Sequence, residues 1–170
     1  MNYLQLTLLS ILSIVVLSSY YFYLVKDSTT DYFNHPFWFG INPSIVRIFM
    51  ILQIFAVIGF LIAITSWIIQ PPSQGLMTGD RLFYTLILFL ISAAIWPIAT
   101  YYKIHFLVVS SLILTAITSI LLLIGSVEES KQDIRWYKII GILFLCVVSV
   151  LVDGVLWNVN YIKKIKLKIF

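Results

Sequence analysis

The sequence predicts an all-α fold, a polytopic transmembrane bundle of five helices in a single domain. Of its 170 residues, 61% are hydrophobic and 11% are charged, and the mean hydropathy is +1.03. Soluble domains are about 45–50% apolar and about 25% charged, so a soluble fold would lack a surface for this much Leu, Ile and Phe. The apolar residues form continuous runs of about 20 or more, the length of a membrane-crossing helix, and do not alternate as barrel strands do.

Five spans follow from these runs, at residues 3–25, 44–69, 81–100, 105–125 and 137–161, and a basic tail occupies residues 162–170. The first run lacks a charged start and is longer than the core of a cleavable signal peptide, so we expect a retained helix. The second begins at Ser44, after Asn42-Pro43. The third contains Pro97, which removes a backbone donor and is expected to kink the helix. A link of a few residues then makes the fourth span an antiparallel neighbour.

The first loop, residues 26–43, is rich in aromatic residues and contains two prolines and a glycine, so we expect an ordered cap on the helices or a segment in the interface.

The distribution of Lys and Arg predicts the orientation of the chain in the membrane. With the N-terminus outside and the C-terminus in the cytoplasm, seven Lys and Arg residues lie inside and four outside. The lysines of the tail, Lys163, Lys164, Lys166 and Lys168, are expected to anchor this topology. Nucleic-acid binding is not predicted, because no folded basic face accompanies the tail.

Asp153 is the acidic residue placed clearly inside a span, where an exposed carboxylate costs a few kcal/mol or more. Steps of three or four residues put it on one helical stripe with four other side chains: Cys146, Ser149, Trp157 and Asn160. The stripe is expected to face protein. Two interpretations stay open, a buried polar group that holds helices together and a group that lines a cavity for a ligand or an ion.

Small or polar residues on two other spans, Gln53, Ala56, Gly59 and Ala63 on the second and Ser111, Thr115 and Thr118 on the fourth, predict close helix packing. The five tryptophans, Trp38, Trp67, Trp96, Trp136 and Trp157, fit an interfacial belt. Trp96 beside Pro97 and Trp157 on the polar stripe fit that belt least. Aromatic walls with few polar groups suit a flat apolar ligand.

Sequence motifs of catalysis are absent. The chain has no His-Glu-x-x-His, no Gly-x-Ser-x-Gly and no glycine-rich phosphate loop, and neither His35 nor His105 has a partner at metal-ligand spacing. The single cysteine, Cys146, excludes an intrachain disulfide. An enzymatic role therefore has little support, and neither a metal nor another cofactor is predicted from the residues.

Several short motifs resemble the translocator protein, or tryptophan-rich sensory protein, family, whose members have five helices in a chain of this size. Pro36-Phe37-Trp38 followed by Pro43 is similar to that family's Pro-x-Trp and the prolines that open its second helix, and Gly59 falls at its helix-two glycine. Trp96-Pro97 is similar to its third-helix Trp-Pro. The stretch from Asp153 through Trp157 to Asn160 is similar to its fifth-helix Asn-x-x-x-Trp-x-x-Asn, with Asp153 in place of the first asparagine.

The resemblance implies a bundle that binds porphyrin, heme or sterol-like ligands between helices and that forms dimers. It places Trp38 in a lid, and Trp96, Asp153 and Trp157 in the pocket wall. The tail adds Val159, Tyr161 and Lys163, which satisfy a pattern proposed for sterol contact.

Three functional hypotheses follow. The leading one is an integral membrane protein that binds an apolar small molecule, with a transport or sensing role, and in which Ser149, Asp153 and Asn160 supply the polar contacts. The second is a structural or assembly subunit of a larger membrane complex, because the loops are minimal and polar chemistry is sparse. The third is an ion or proton pathway through Asp153.

Overall fold

The computed structural model describes residues 3–22, 38, 41–70, 72, 75–130 and 136–166, without the side chains of residues 129, 130 and 166. Within these ranges all regular structure is helical, which confirms the predicted all-α class. Five helices are long and apolar enough to cross a membrane. The chain is therefore a multi-pass integral membrane protein.

The first four spans are α1 (Tyr3–Tyr20), α2 (Pro43–Ile69), α3 (Gly79–Tyr101) and α4 (His105–Ser130). The fifth is one continuous rod made of α5 (Trp136–Val147), a π-helical segment (Val148–Trp157) and α6 (Asn158–Lys166). We call Val148–Trp157 the π segment. The apolar part of this rod, Trp136–Ile165, is 30 residues long.

Most predicted span ends lie within two residues of the observed ones, and two differ by about five residues. The fourth helix continues beyond residue 125 to Ser130, and residues 162–166 of the predicted tail continue the last helix. Polarity marks where a helix leaves lipid, and a helix does not have to end there. Residues 23–25 of the first predicted span, most of the first loop and Lys168 lie outside the described residues.

Local chemistry explains two helix junctions. Asn42 caps α2, since its side-chain oxygen accepts the Ser44 N–H at 2.9 Å and Pro43 occupies the first turn. At the end of α3, Lys103 has a left-handed φ of 60°. Its N–H reaches the Thr100 carbonyl at 3.2 Å, and the Ile104 N–H reaches Ala99 at 2.9 Å. These are the two hydrogen bonds of a Schellman turn, so α4 can start two residues later.

The helices pack in the order α1, α3, α4, fifth rod, α2, and α3 is the most buried of the five spans. Helix α1 packs on α3, α3 on α4, α4 on the fifth rod, and α2 on α5. Two thirds of the most apolar stretch of α3 is buried, against 11% for α1. The outward faces of α1 and α2 are aliphatic and exposed, as expected for helices in contact with lipid.

Small side chains allow α2 and α5 to touch along their backbones. A Cβ atom placed on Gly141 would lie 2.6 Å from the carbonyl oxygen of Gly59. Ala56 and Ala63, one turn to either side of Gly59, are buried at 3% and 0% exposure. The close packing predicted from this stripe of α2 is confirmed.

Hydroxyl groups link α3 to α4. The Thr115 hydroxyl donates to the Ser92 hydroxyl at 2.8 Å, and both residues are buried. Ser111 and Thr118 are also buried and donate to carbonyls of their own helix. This stripe holds helices together, as its spacing predicts.

The two ends of the bundle differ. Helices α1 and α3 run parallel, because Gln5 donates to Asp80 at 3.3 Å near their starts and Trp96 donates to Tyr20 at 2.9 Å near their ends. We call the end that holds Tyr20, Trp96 and Trp157 the aromatic end. At the opposite end, Leu76 in the segment between α2 and α3 contacts α4, since its N–H donates to a Glu128 carboxylate oxygen at 2.6 Å.

Candidate functional site

Three tryptophans from three separate elements meet at the aromatic end. The Trp38 ring stacks on the Trp157 ring with centroids 5.0 Å apart and an interplanar angle of 19°. Trp157 in turn contacts Trp96, with centroids 4.3 Å apart. Each of the three is at most 1% exposed. Together with Tyr20 they form what we call the aromatic cluster.

Tyr20 extends the cluster to α1. Its ring meets Trp96 edge to face at 5.4 Å, and its hydroxyl oxygen accepts the Trp96 indole N–H at 2.9 Å. A buried indole normally needs such an acceptor. This contact ties α1 to α3, and so fixes the orientation of the ring that Trp157 packs against.

Trp38 is held where the first loop enters α2. Its carbonyl oxygen accepts the N–H of Ile41 at 3.0 Å, directly before the Asn42 cap. The ring therefore reaches the bundle from outside the helices and covers Trp157. A side chain on a short connecting segment can leave its contact at lower cost than one on a packed helix.

The π segment determines which side chains of the fifth rod face inward. In a helix with hydrogen bonds between residues five apart, such residues lie nearly above one another, whereas α-winding places them on different faces. The π winding thus aligns Asp153 with Asn158, which are 4% and 5% exposed. Wide turns of this kind are frequent at functional sites.

Asp153 and Asn158, which we call the polar pair, each bury an oxygen that lacks a hydrogen-bond partner among the described residues, Oδ1 in both cases. The Asn158 amide nitrogen is satisfied, since it donates to the Gly154 carbonyl at 3.1 Å. An unsatisfied buried acceptor costs about 1–3 kcal/mol, and more for a charged group. The polar pair is therefore a costly arrangement one turn from the aromatic cluster.

Other described charges lie away from Asp153. Lys138 is buried at 1% exposure but precedes Asp153 by 15 residues on the same rod, which places it about 20 Å away along the axis. Arg47, Arg81, Lys103 and Lys163 are exposed, and Lys164 is half-buried but follows Asp153 by eleven residues, about 15 Å along the axis. Nothing in the described part of the chain therefore neutralises the Asp153 carboxylate by direct contact.

The structure brings most of the predicted ligand-binding residues together. Trp38, Trp96 and Trp157 form the stack, while Ser149 and Asp153 are buried along the π segment at 2% and 4% exposure. Asn160 is different, because it is half-buried and donates to the Leu156 carbonyl of its own helix at 2.8 Å. Cys146, also on the predicted stripe, is buried.

The predicted sterol-contact residues separate into two groups. Val159 and Lys163 are exposed on the outer face of α6. Tyr161 is 5% exposed and its hydroxyl lies 2.6 Å from Nδ1 of His105, at the start of α4. Tyr161 thus connects the last helix to α4.

Sequence reasoning missed three participants, Tyr20, His105 as a partner of Tyr161, and Asn158. Tyr20 belongs to a Tyr-Tyr-Phe-Tyr run that is typical of an interfacial belt. Asn158 adjoins Trp157, but α-helical spacing selects Asn160 for the inward face. The belt interpretation agrees with Trp136, which is 64% exposed, and is wrong for the buried Trp67.

The described residues include no group of three or more His, Cys, Asp or Glu side chains that would hold a metal ion. Comparisons with protein-family models, curated proteins and solved structures find no match to this chain. The candidate site is therefore interpreted from its own geometry.

Proposed function

We propose that this membrane protein binds a flat apolar molecule of the porphyrin or sterol-like class at the aromatic cluster, in a transport or sensing role. The observation that carries the proposal is the stack of Trp38 on Trp157, which also contacts Trp96. Large rigid rings of this kind give affinity for a flat ligand through contact area, and a few polar groups fix its orientation. The resemblance to the translocator protein family, carried by the Trp38, Trp96 and Trp157 motifs, supports the same class of ligand.

Access to the site requires the Trp38 ring to move. Trp38 lies on a connecting turn, whereas Trp96 and Trp157 lie on packed helices. We expect a ligand to take the position of the Trp38 ring against Trp157. A flat ligand that displaces the Trp38 indole replaces its ring contacts with similar ones. The free-energy cost of moving Trp38 is therefore small compared with that of disrupting a helix.

Titration of the purified protein with protoporphyrin, followed at the absorption band of the porphyrin, tests the proposal. We expect saturable binding that Trp157→Ala or Trp96→Ala weakens by about tenfold or more, as the loss of an aromatic anchor usually does. Trp67→Phe is the matched control, because Trp67 is equally buried but sits at the far end of α2. Non-saturable uptake, or equal loss in the control, would contradict the proposal.

We also propose that the aromatic end faces the cytoplasm. The described Lys103, Lys163 and Lys164 lie at this end, which agrees with the excess of Lys and Arg expected on the inner side. Single cysteines at positions 103 and 76 in a Cys146→Ala background test this. Labelling of intact cells by an impermeant maleimide should reach position 76 and spare position 103.

A second candidate is an assembly subunit, favoured by the exposure of α1. Its buried residues are Leu9 and Ser19, while its outward face carries the hydroxyls of Thr7 and Ser10 among exposed aliphatic residues. Such a face suits another transmembrane helix. Crosslinking in membranes from a benzophenone side chain at position 10 distinguishes the two, since an adduct with an unrelated protein supports the assembly role and lipid labelling alone argues against it.

A further inference from the structure

Ring binding at the aromatic cluster does not explain why the polar pair is buried without hydrogen-bond donors in the described part of the chain. Asp153 Oδ1 and Asn158 Oδ1 are both acceptors, both buried, and both without a hydrogen-bond donor among the described residues. Two buried acceptors without a donor keep their full desolvation cost. A group that supplied hydrogen bonds to both would recover that cost.

The carboxyl group of Asp153 narrows the class of ligand group that would fit. In its ionised form a buried carboxyl is stabilised most by a positively charged donor, since charge-assisted hydrogen bonds are roughly twice as strong as neutral ones. The described lysines and arginines are exposed or lie along the rod, Lys138 about 20 Å before Asp153 and the half-buried Lys164 about 15 Å after it. The cation that would suit this position does not come from the described part of the chain.

The aromatic cluster supplies the rest of the recognition chemistry. Trp157 follows Asp153 by four residues, about one turn of the rod, and its ring belongs to the stack with Trp38 and Trp96. Indole faces attract ammonium groups through their negative quadrupole. A flat ring carrying an amine one short linker away would therefore meet aromatic faces with its ring and the polar pair with its nitrogen.

We propose that the site selects organic amines, protonated at neutral pH, whose aromatic ring enters the stack and whose ammonium group donates to Asp153 and Asn158. This inference rests on the proposed function and specifies its ligand class. The π segment is what makes it specific, because α-winding would turn Asn158 away from Asp153. Neutral flat molecules bind through the rings alone and lack this second anchor.

Three pyrene probes separate the contributions. 1-Methylpyrene has the ring only, 1-pyrenemethanol adds a neutral donor, and 1-pyrenemethylamine adds a charged donor. Binding to the protein in nanodiscs of zwitterionic lipid is followed by energy transfer from tryptophan to pyrene, with empty nanodiscs to subtract partitioning. We expect the amine to bind about 10- to 100-fold more tightly than 1-methylpyrene, the range expected for hydrogen bonds to a charged group.

Variants assign that preference to residues. Asp153→Asn should remove most of the advantage of the amine, so that the amine and 1-methylpyrene bind with similar affinities, and Asn158→Leu should reduce the advantage less. Ser126→Ala is the control, since Ser126 is buried in α4 at the opposite end and donates to Leu122. The wild-type series tests the proposal even where a variant fails to fold.

Each outcome has a distinct meaning. Equal affinity of the wild type for all three probes, or for the alcohol and the amine, overturns the selection of amines while ring binding stands. An amine advantage that survives Asp153→Asn overturns the role of the polar pair. Failure of all three probes to bind contradicts the proposed function itself.

Discussion

The two halves of the fifth rod differ in helical winding and in the way they pack. In α5 the chain is regular, and Gly141 lies against Gly59 so closely that neither position has room for a side chain. In the π segment the turns are wider, and the chain buries Asp153 beside large indole rings. In the first half, two glycines without side chains let the backbones of α2 and α5 come into contact. In the second half, buried oxygen atoms lack hydrogen-bond partners among the described residues, which is uncommon in well-packed proteins.

This difference indicates that the stability of the bundle resides in α5 and its candidate chemistry in the π segment. Natural proteins violate local rules of packing and polar satisfaction mainly where function requires it. Changes in α5 should therefore damage folding, and well-chosen changes in the π segment should improve folding and damage binding.

The largest effect is expected at the glycine contact. Gly141→Leu places a bulky side chain against the Gly59 backbone, which forces α2 and α5 apart. Overpacking costs about 1–3 kcal/mol and sometimes more, and we expect the free energy of unfolding to fall by about 3 kcal/mol in an SDS titration. Val57→Ala on the lipid-facing side of α2 serves as control and should change it by less than about 0.5 kcal/mol. A small loss in Gly141→Leu would show that the backbones do not touch.

Asp153→Leu should act in the opposite direction. Replacing an unsatisfied buried carboxyl by an apolar group of similar size removes its desolvation cost, so we expect stability to rise by about 1–3 kcal/mol. The same variant should lose its preference for amines. A fall in stability would instead support the interpretation of Asp153 as a polar group that holds helices together.

Tyr20→Phe is expected to have a moderate effect. It removes the hydroxyl that accepts the Trp96 indole N–H at 2.9 Å and keeps the ring contact. The loss of this hydrogen bond should cost about 1 kcal/mol, measured by the same titration, together with a shift in tryptophan emission. Unchanged emission would mean that the hydroxyl does not bond to Trp96.

Lys103→Gly should give the smallest change and lies in neither half of the rod. Lys103 adopts a left-handed φ of 60° at the end of α3, a conformation that favours glycine. The substitution should raise stability by about 0.5–1 kcal/mol, since relief of strain exceeds the added chain entropy. Ligand binding should stay at the wild-type level, and a change there would show that the link contributes to the site.

The spans were predictable from the sequence because hydrophobic length is a local property. The ends of the helices were less predictable. Helix α4 continues beyond its apolar run, and there the Glu128 carboxylate accepts the N–H of Leu76, in the segment between α2 and α3. No local polarity signal marks a helix that continues into water to make a tertiary contact.

The candidate site was predictable in part for a similar reason. Trp96, Trp157 and Asp153 stand out by residue type, and helical spacing agrees with the observed burial of Asp153. The choice between Asn158 and Asn160 depends on the π winding of a segment that packs against α4, and this winding has no simple sequence pattern. The ring contacts of Tyr20 and Trp38 join segments far apart in the sequence, so local sequence patterns do not predict them.

The stacked indoles of Trp38 and Trp157 also give the molecule an intrinsic optical marker. Rings 5.0 Å apart and within 19° of parallel couple their electronic transitions, so circular dichroism in the tryptophan bands should contain a contribution that neither ring produces alone. Lifting the Trp38 ring would abolish that contribution. The proposed displacement of Trp38 by a ligand can therefore be followed in the unlabelled protein, in any transparent membrane mimic.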